Sequence, residues 1–338
     1  MKVASALVSG LHPDAALAEK AVRCALEKAG LERANNVILF LTRDFVRHAQ
    51  PAVLAAARAA GCLQVCGTTT SGLFTEDGWL LEQSGAAALV FEAAPATPHD
   101  SSPTLSFTGH GTLPFEWQAL PERAGLLEAN AATWSHGRIS PNACAETRLP
   151  GMKATLLRSA GLLSLSRDLS LDFAQGYDLR RIDGMGAADS LRQHLPAELR
   201  EHPPVHRLVV LRHASESAIP VLSFNADGSL TIGEALAEGE TFCWALRHPD
   251  HSAQEMQQLL DTAANPPAKP DFALMFSCIG RGPLFYGDDD RDLQAFRQAC
   301  PQTPLLGAYA SGQIAPASQR NRLFHNSAVT LLFESLHV

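Results

Sequence analysis

The chain has 338 residues, of which 46% are hydrophobic and 18% charged, with a formal net charge of -8 at pH 7. This length exceeds one ordinary domain of about 100 to 200 residues, so two domains are expected. The acidic balance, with no Lys/Arg cluster, excludes the electrostatic footprint of a nucleic-acid binder, and no apolar run approaches the roughly 20 residues of a membrane-spanning helix.

The chain begins with a predicted strand and helix. Residues 1–11 carry one Lys and a short apolar run that ends at Ser9-Gly10, which indicates a first strand rather than a signal peptide. Residues 15–29 follow a capping Asp14 and repeat apolar side chains at helical spacing. We therefore expect a helix there.

A strand, helix, strand unit follows. Residues 37–41 are all apolar, as in a strand buried on both faces. A helix is predicted over 51–60 and a second strand over 63–67, leading into the polar run 68–72. Another apolar strand is predicted over 86–91, so we expect a helix-covered sheet.

The middle of the chain shows weaker patterns. Residues 93–121 are rich in Pro, Ser, Thr and Gly, which favours loop with short strands. A strand is predicted over 208–211, and residues 225–228 include Asp-Gly between the apolar runs 221–224 and 230–232, a strong hairpin pattern.

The last third repeats the early order in outline. A buried strand is predicted over 272–276, a helix over 288–299, a strand over 305–308, then Ser311-Gly312 and a strand over 328–333. Both halves place a Ser-Gly turn after the second strand. The pattern predicts a mixed α/β fold with helix-covered sheets, in which two related lobes meet at a cleft, a natural ligand site.

The run 66–72 places four hydroxyl side chains and two glycines where a strand ends. Its side chains and backbone N–H groups could reach a small polar ligand. Alternatively, Ser, Thr and Gly form turns by themselves through local hydrogen bonds. No Gly-Lys-Ser/Thr follows, so this is not a Walker A loop.

The run 276–282 places Arg281 between two glycines directly after a buried strand. An exposed guanidinium there suits a carboxylate or phosphate. The alternative is a structural ion pair with an acid from residues 288–290. Cys278 is either a buried small hydrophobe or an accessible thiol, and no motif supplies the base that nucleophilic catalysis requires.

The run 307–316 combines a strand end, a tight turn and the amide of Gln313. That amide can hydrogen-bond a ligand or its own backbone. It cannot act as a general base, which argues against hydrolytic chemistry at this position.

Together, the runs 66–74, 276–287 and 307–316 and the hairpin at Asp227-Gly228 resemble the signature segments of the FIST family. The resemblance extends from Ala4 to Phe333. It implies a FIST N-terminal domain over residues 1–187 and a FIST C-terminal domain over residues 188–338.

This resemblance implies a bacterial sensory module that binds an amino acid or another small anion and signals through a separate protein such as a histidine kinase, a chemoreceptor or a cyclic-di-nucleotide enzyme. The family usually shows Gly-Glu where this chain has Gly312-Gln313. The change removes a charge that an amine-bearing ligand would meet.

Some stand-alone relatives are haem proteins that sense nitric oxide, and haem binding is therefore the second hypothesis. The chain has thirteen histidines but no C-x-x-C-H motif, and an axial ligand also needs an apolar pocket. A cysteine-dependent enzyme that uses Cys278 is the third.

The leading hypothesis is a small-ligand-binding sensory protein rather than an enzyme, with no catalytic or metal-binding residues and a signal carried by lobe closure. Seven scattered cysteines without a C-x-x-C pair indicate reduced thiols and a cytoplasmic location. The predicted ligand-binding residues are Thr68, Thr69, Thr70, Ser71, Gly72, Cys278, Gly280, Arg281, Gly282, Ser311, Gly312 and Gln313.

Overall fold

The computed structural model describes residues 1–92, 102–212, 218–264, 269–287 and 289–336. It divides into two compact units: unit 1 comprises Met1–Ala160 with Glu255–Val338, and unit 2 comprises Gly161–Gln254. Unit 1 thus contains both ends of the chain. The domain boundary expected between residues 187 and 188 does not coincide with this division and stays a prediction.

The first part of unit 1 alternates helices and strands before it becomes all-β. Its elements are β1 (Val3–Gly10), α1 (Ala15–Ala29), β2 (Asn36–Thr42), α2 (Ala49–Ala60), β3 (Val65–Thr70), β4 (Gly72–Thr75), β5 (Gly78–Leu81), β6 (Ser84–Phe91), β7 (Thr104–Thr108), β8 (Arg123–Leu127), β9 (Thr133–Ser135), β10 (Arg138–Ile139), β11 (Cys144–Thr147) and β12 (Met152–Ser159).

Unit 2 is mainly β. Its elements are β13 (Leu162–Ser164), β14 (Leu169–Gln175), β15 (Asp178–Ile182), β16 (Met185–Gly186), α3 (Ala187–His194), β17 (Leu208–Leu211), β18 (Ile219–Phe224), β19 (Leu230–Ile232) and β20 (Thr241–Arg247).

The chain returns to unit 1 within a helix. The remaining elements are α4 (Pro249–Ala264), β21 (Phe272–Cys278), α5 (Pro283–Tyr286), α6 (Arg291–Ala299), β22 (Leu305–Ala310), β23 (Gly312–Ala317), β24 (Arg320–Phe324) and β25 (Ala328–Ser335). In the described ranges, no helix has both the length and the apolar character that a membrane crossing requires.

Helix α1 illustrates how local chemistry sets the boundaries. The Asp14 carboxylate accepts a hydrogen bond from Ala16 N at 2.8 Å and caps the first turn. Gly30 ends the helix in the left-handed region at φ 63°, which glycine adopts without a steric penalty. The predicted helix over residues 15–29 is confirmed.

The described residues of unit 1 form three sheets. Their strand orders are β1-β6-β2-β3-β9-β10 in the first sheet, β11-β7-β8-β23-β24 in the second and β12-β25-β21-β22-β4-β5 in the third. The pairs β2–β3, β21–β22 and β7–β8 are parallel, and the other pairs are antiparallel. The predicted mixed α/β class is therefore confirmed.

One apolar core joins these sheets, and helices cover its outer sides. Phe40 of the first sheet, Phe107 of the second and Phe276 of the third belong to the same buried cluster. Helices α1 and α2 bury Val22 and Val53 against the first sheet. On the third sheet, α4 and α6 contribute Leu260 and Phe296 to a separate cluster.

The two predicted repeats both lie in unit 1. In each, a parallel strand pair, β2–β3 or β21–β22, is followed by a Ser-Gly turn. After the turn the chain enters a different sheet: β4 pairs with β22, and β23 pairs with β8.

In unit 2, strands β20, β14, β15, β19, β18 and β17 pair in succession, and β17 also pairs with β20, which closes the sheet. The predicted hairpin is confirmed, because β18 and β19 pair at Phe224 and Leu230 across Gly228, whose φ is 80°. Of the segment expected to be loop with short strands, residues 93–101 lie outside the described residues, and the rest includes the short strand β7.

Candidate functional site

Unit 1 contains a cavity of about 1100 Å³. It lies where β1, β2, β3 and β21 end, next to the β5–β6 turn. The carboxyl ends of strands in α/β sheets are the usual position for ligand sites, because the loops that leave the strands converge there. The lining residues are Ser9, Gly10, Leu11, Thr42, Arg43, Asp44, Ser71, Trp79, Leu81, Glu82, Gln83, Ser84, Ile279, Pro283, Leu284 and Gly287.

The end of β2 supplies the charged part of this lining. Thr42 Oγ1 donates to Asp44 Oδ1 at 2.6 Å and accepts from Gly85 N at 2.9 Å, while the Ser84 hydroxyl donates to the other Asp44 oxygen. Hydroxyl groups thereby hold Asp44 to the start of β6, and among the described residues no cation pairs with it.

Arg43 precedes Asp44 in the chain and is exposed. Within the described parts of the chain, no carboxylate lies within salt-bridge distance of its guanidinium, and Arg43 is the only Lys or Arg among the lining residues. A guanidinium offers five N–H donors in a planar fork that matches a carboxylate. Arg43 is therefore the lining group best suited to bind an anion.

Apolar side chains make up another part of the lining and are unusually exposed. Leu11 is 92% exposed, Leu284 74% and Trp79 38%. The indole of Trp79 is oriented by a hydrogen bond from Nε1 to Asp289 Oδ1 at 3.4 Å. Large apolar groups exposed around one opening mark a surface that a ligand or partner can cover.

The predicted Thr/Ser run contributes one lining residue, Ser71. Thr68, Thr69 and Thr70 are buried, and their hydroxyls bond to backbone groups: Thr68 donates to Ala132 O at 3.3 Å, and Thr70 to Gly72 O at 3.0 Å. The Thr69 hydroxyl accepts from Ala132 N at 3.1 Å. The hydrogen bonds of these three threonines match the structural alternative, and their assignment to a ligand stays a prediction.

Gly72 begins β4 in the buried interior, where an added Cβ would lie 2.2 Å from Leu81 Cδ2 and 2.9 Å from Leu80 O. It allows two strands to approach closely. Its backbone pairs with Tyr309 and Leu81, and its assignment to a ligand stays a prediction.

The structure buries Arg281, and its assignment to a ligand stays a prediction. Its side chain is only 1% exposed and does not line the cavity. The guanidinium donates to both oxygens of Asp292 at 2.7 and 3.0 Å, and to Ser159 O and Ser159 Oγ at 3.0 and 2.6 Å. The ion-pair alternative, which expected an acid from residues 288–290, is met in kind by Asp292 within the described residues.

Three further predicted residues flank Arg281, and their assignment to a ligand stays a prediction. Cys278 is buried at the end of β21, and its backbone N donates to Ser327 O at 3.0 Å. An added Cβ at Gly282 would lie 2.6 Å from the Tyr309 ring, and one at Gly280 would lie 2.8 Å from Asn326 Oδ1. None of the three lines the cavity, whereas neighbouring Ile279 and Pro283 do.

The third predicted segment lies away from the cavity lining. Ser311 N donates to Glu128 Oε2 at 2.9 Å, and its hydroxyl donates to Leu127 O at 3.1 Å. Gln313 is fully buried: its amide donates to Ala310 O at 3.3 Å and accepts from Ser327 Oγ at 3.2 Å. Gly312 pairs with Leu127 in the second sheet. All three residues thus bond to other parts of the protein, and their assignment to a ligand stays a prediction.

A buried charged network lies next to the cavity segment 279–287. Asp292 accepts from Tyr286 Oη at 2.8 Å as well as from Arg281, and Asp290 accepts from the Tyr309 hydroxyl. Burial, followed by the nearby Asp292 carboxylate, raises the pKa of Asp290 to about 6. The network ties the segment to the first turn of α6, which Asp290 caps.

The described residues contain no cluster of three His, Cys, Asp or Glu side chains arranged to hold a metal ion. Among the described lining residues of the cavity there is also no histidine. Haem binding therefore stays a prediction from the family resemblance alone.

Sequence reasoning missed Arg43, Asp44, Trp79 and Leu284. The run Thr42-Arg43-Asp44 follows directly after the predicted strand 37–41, which was the available indication. Trp79 and Leu284 lie in short segments whose exposure depends on tertiary packing, and no local pattern marks them.

Comparison with known proteins gives a family match for part of the chain. Residues 187–316 match the model of the FIST C domain. FIST C domains form a sensory-domain family, so the match is consistent with signal transduction. The resemblance is confirmed for these residues, which include Ile279 and Leu284 of the cavity, and a FIST N-terminal domain stays a prediction.

Three curated relatives are mycobacterial proteins described as uncharacterized. Proteins of Mycobacterium bovis and Mycobacterium tuberculosis are each 28% identical over 201 residues, covering 55% of this chain and 52% of theirs. A second Mycobacterium tuberculosis protein is 30% identical over 107 residues, covering 31% of this chain and 28% of its own. The chain spans about half the length of the first of these relatives.

Proposed function

We propose that this chain is a sensory protein that binds a small organic ligand in the cavity of unit 1 and signals through a separate protein, such as a histidine kinase. The role is one of binding rather than catalysis. The FIST C match supports the sensory class. The cavity supports the ligand-binding part.

One observation carries the proposal: an exposed Arg43 without a carboxylate partner among the described residues lies in a cavity of about 1100 Å³ at the carboxyl ends of the strands. An arginine in such a position commonly meets an acid of its own protein, as Arg281 does. Here the nearest acid in sequence, Asp44, is held by hydroxyls. The unused N–H donors suit an anionic ligand group, including the carboxylate of an amino acid.

The segment 279–287 is the proposed route by which ligand binding is signalled from the site to a partner protein. Ile279 and Leu284 face the cavity, while Arg281 and Tyr286 of the same segment bond to Asp292 of α6. A ligand that binds one conformation of this segment better than another shifts the population of both the segment and the helix start. A partner that contacts this region would detect the shift.

The test begins with the full chain, purified, denatured and analysed by mass spectrometry for retained small molecules. Arg43→Glu should abolish retention, whereas Arg47→Glu, an exposed neighbour outside the lining, should leave it unchanged. Recovery of the same compounds from both variants would reject the site.

A second measurement reports occupancy directly. Trp79 lines the cavity, so its emission should change when wild-type protein is titrated with the recovered compound, and Trp79→Phe should remove the change. If Trp79→Phe showed the same change in emission as the wild type, the compound would bind at a different site.

A further inference from the structure

The size of the cavity bears on what fills it. Drug-sized ligands occupy pockets of roughly 300–1,000 Å³, and this cavity, at about 1100 Å³, lies at or above the upper end of that range. A free amino acid would leave most of it filled with water. The geometry therefore favours a larger occupant.

The apolar side chains define where the bulk of such a ligand would lie. Leu11, Trp79 and Leu284 come from three separate segments, after β1, in β5 and in α5, and all three are exposed. Apolar surface removed from water on binding contributes in proportion to its area. A hydrocarbon chain or a ring system can cover all three at once, which a short polar ligand cannot.

The charged lining residues limit how many anionic groups the ligand can carry. Arg43 is the single cation among the described lining residues, and Asp44 and Glu82 are carboxylates on the same lining. One anionic group can bind the Arg43 fork, but a second would meet these acids, and like charges at close range repel. The lining thus favours a monoanion over a dicarboxylate or a phosphate ester.

We infer that the cavity binds an amphiphilic monoanion, with one carboxylate or sulfonate on Arg43 and an apolar chain or ring system against Leu11, Trp79 and Leu284. This inference rests on the proposed binding function and names the ligand class for that site.

The probes are 1-anilinonaphthalene-8-sulfonate, an aromatic monosulfonate whose fluorescence rises in apolar surroundings, and dodecanoate below its micelle concentration. We expect saturable binding of the sulfonate to the folded full chain, with energy transfer from Trp79 and displacement by dodecanoate. Phenylalanine, glutamate and dodecanedioate should displace it at least about tenfold less well, which corresponds to about 1.4 kcal/mol.

Variants test which residues bind the anionic group of the ligand and which contact its apolar part. Arg43→Gln should weaken both probes about tenfold or more, because a charged hydrogen-bonding partner is lost, and Arg43→Lys should retain part of the affinity. Leu284→Ser should weaken dodecanoate by several fold. The matched controls Arg47→Gln and Leu222→Ser, exposed residues outside the lining, should bind as wild type does.

The inference would be overturned if either probe failed to bind the folded protein. It would also be overturned if Arg43→Gln and Leu284→Ser bound the probes as tightly as the wild type does. If phenylalanine or glutamate changes Trp79 emission while dodecanoate does not, the ligand class is wrong and the proposed function stands. If no compound changes that emission and purified protein retains nothing in an Arg43-dependent way, the proposed function falls as well.

Discussion

Two arginines follow the first strands of the two repeats, and their surroundings are opposite. Arg43 follows β2, is exposed, and lies on the cavity without an acid partner among the described residues. Arg281 follows β21, is buried, and donates to both oxygens of Asp292. Arg281 is a structural tie because the fold supplies a carboxylate, whereas the proposed function makes Arg43 a ligand anchor.

The largest effect should come from removing the buried arginine. Arg281→Met leaves the fully buried Asp292 without its cation, and breaking such a pair costs about 3–5 kcal/mol of unfolding free energy. Urea denaturation measures it. The double variant Arg281→Met/Asp292→Leu should recover part of the loss, and an unchanged midpoint for Arg281→Met would show that the two arginines do not differ in structural role.

The acid next to this pair should give a pH-dependent effect of intermediate size. The pKa of Asp290 is raised from 3.8 to about 6, so between these values the folded protein binds more protons than the unfolded chain. Its contribution to stability is greatest below about pH 4, falls as pH rises to about 6 and stays lower above that.

Urea unfolding of the wild type and of Asp290→Asn at pH 4 to 7 tests this sign. Asparagine keeps the helix cap but does not titrate. The wild type should lose on the order of 2 kcal/mol relative to the variant across this range. Glu198→Gln, which neutralises an exposed carboxylate, serves as the control, and parallel pH profiles for wild type and Asp290→Asn would contradict the prediction.

Substituting the glycines of the two Ser-Gly turns should reveal a smaller difference in unfolding free energy between the repeats. A Cβ at Gly72 would lie 2.9 Å from the backbone oxygen of Leu80 as well as against a side chain, whereas at Gly312 it meets chiefly the flexible end of Leu323. We expect Gly72→Ala to cost about 1–3 kcal/mol and Gly312→Ala less, by thermal and urea unfolding. A greater loss for Gly312→Ala would reverse this ranking.

The smallest effect on stability should come from the exposed arginine. Arg43→Gln removes no ion pair formed by the described residues, so the unfolding free energy of the unliganded protein should change by no more than about 0.5 kcal/mol. The variant should nevertheless lose the rise in melting temperature that dodecanoate gives the wild type. A large loss of stability without ligand would place Arg43 in a structural role like that of Arg281.

The regular part of unit 1 could be predicted because its patterns are local. The apolar run at residues 37–41 lies within β2, and Asp14 and Gly30 bound α1 as expected. Helix α4 was missed, although Pro249 starts it and Met256 and Leu260 pack into the core. Most of its residues are polar, so the spacing of those apolar residues was the only local indication of a helix.

The site was predicted less well for a physical reason. Sequence reasoning identified Ser71 and the neighbourhood of Ile279, because glycine-rich turns after strands are visible locally. Whether Arg281 is buried depends on Asp292 and on Ser159, which lies 122 positions away. Long-range pairing of that kind decides which polar side chains remain available, and no single segment encodes it.

The exchange of strands between sheets has a consequence for how a signal can arise. Because β4 pairs with β22, the first repeat adds strands to the sheet of the second repeat, while β23 of the second repeat pairs with β8 in a different sheet. Swinging the repeats apart would break the backbone hydrogen bonds between β4 and β22. Under the proposed function, a signal would therefore arise more readily by rearrangement of short surface segments, and lobe closure stays a prediction. For the same reason, a chain cut between β6 and β21 would yield fragments with open sheet edges, which should fold only when mixed together.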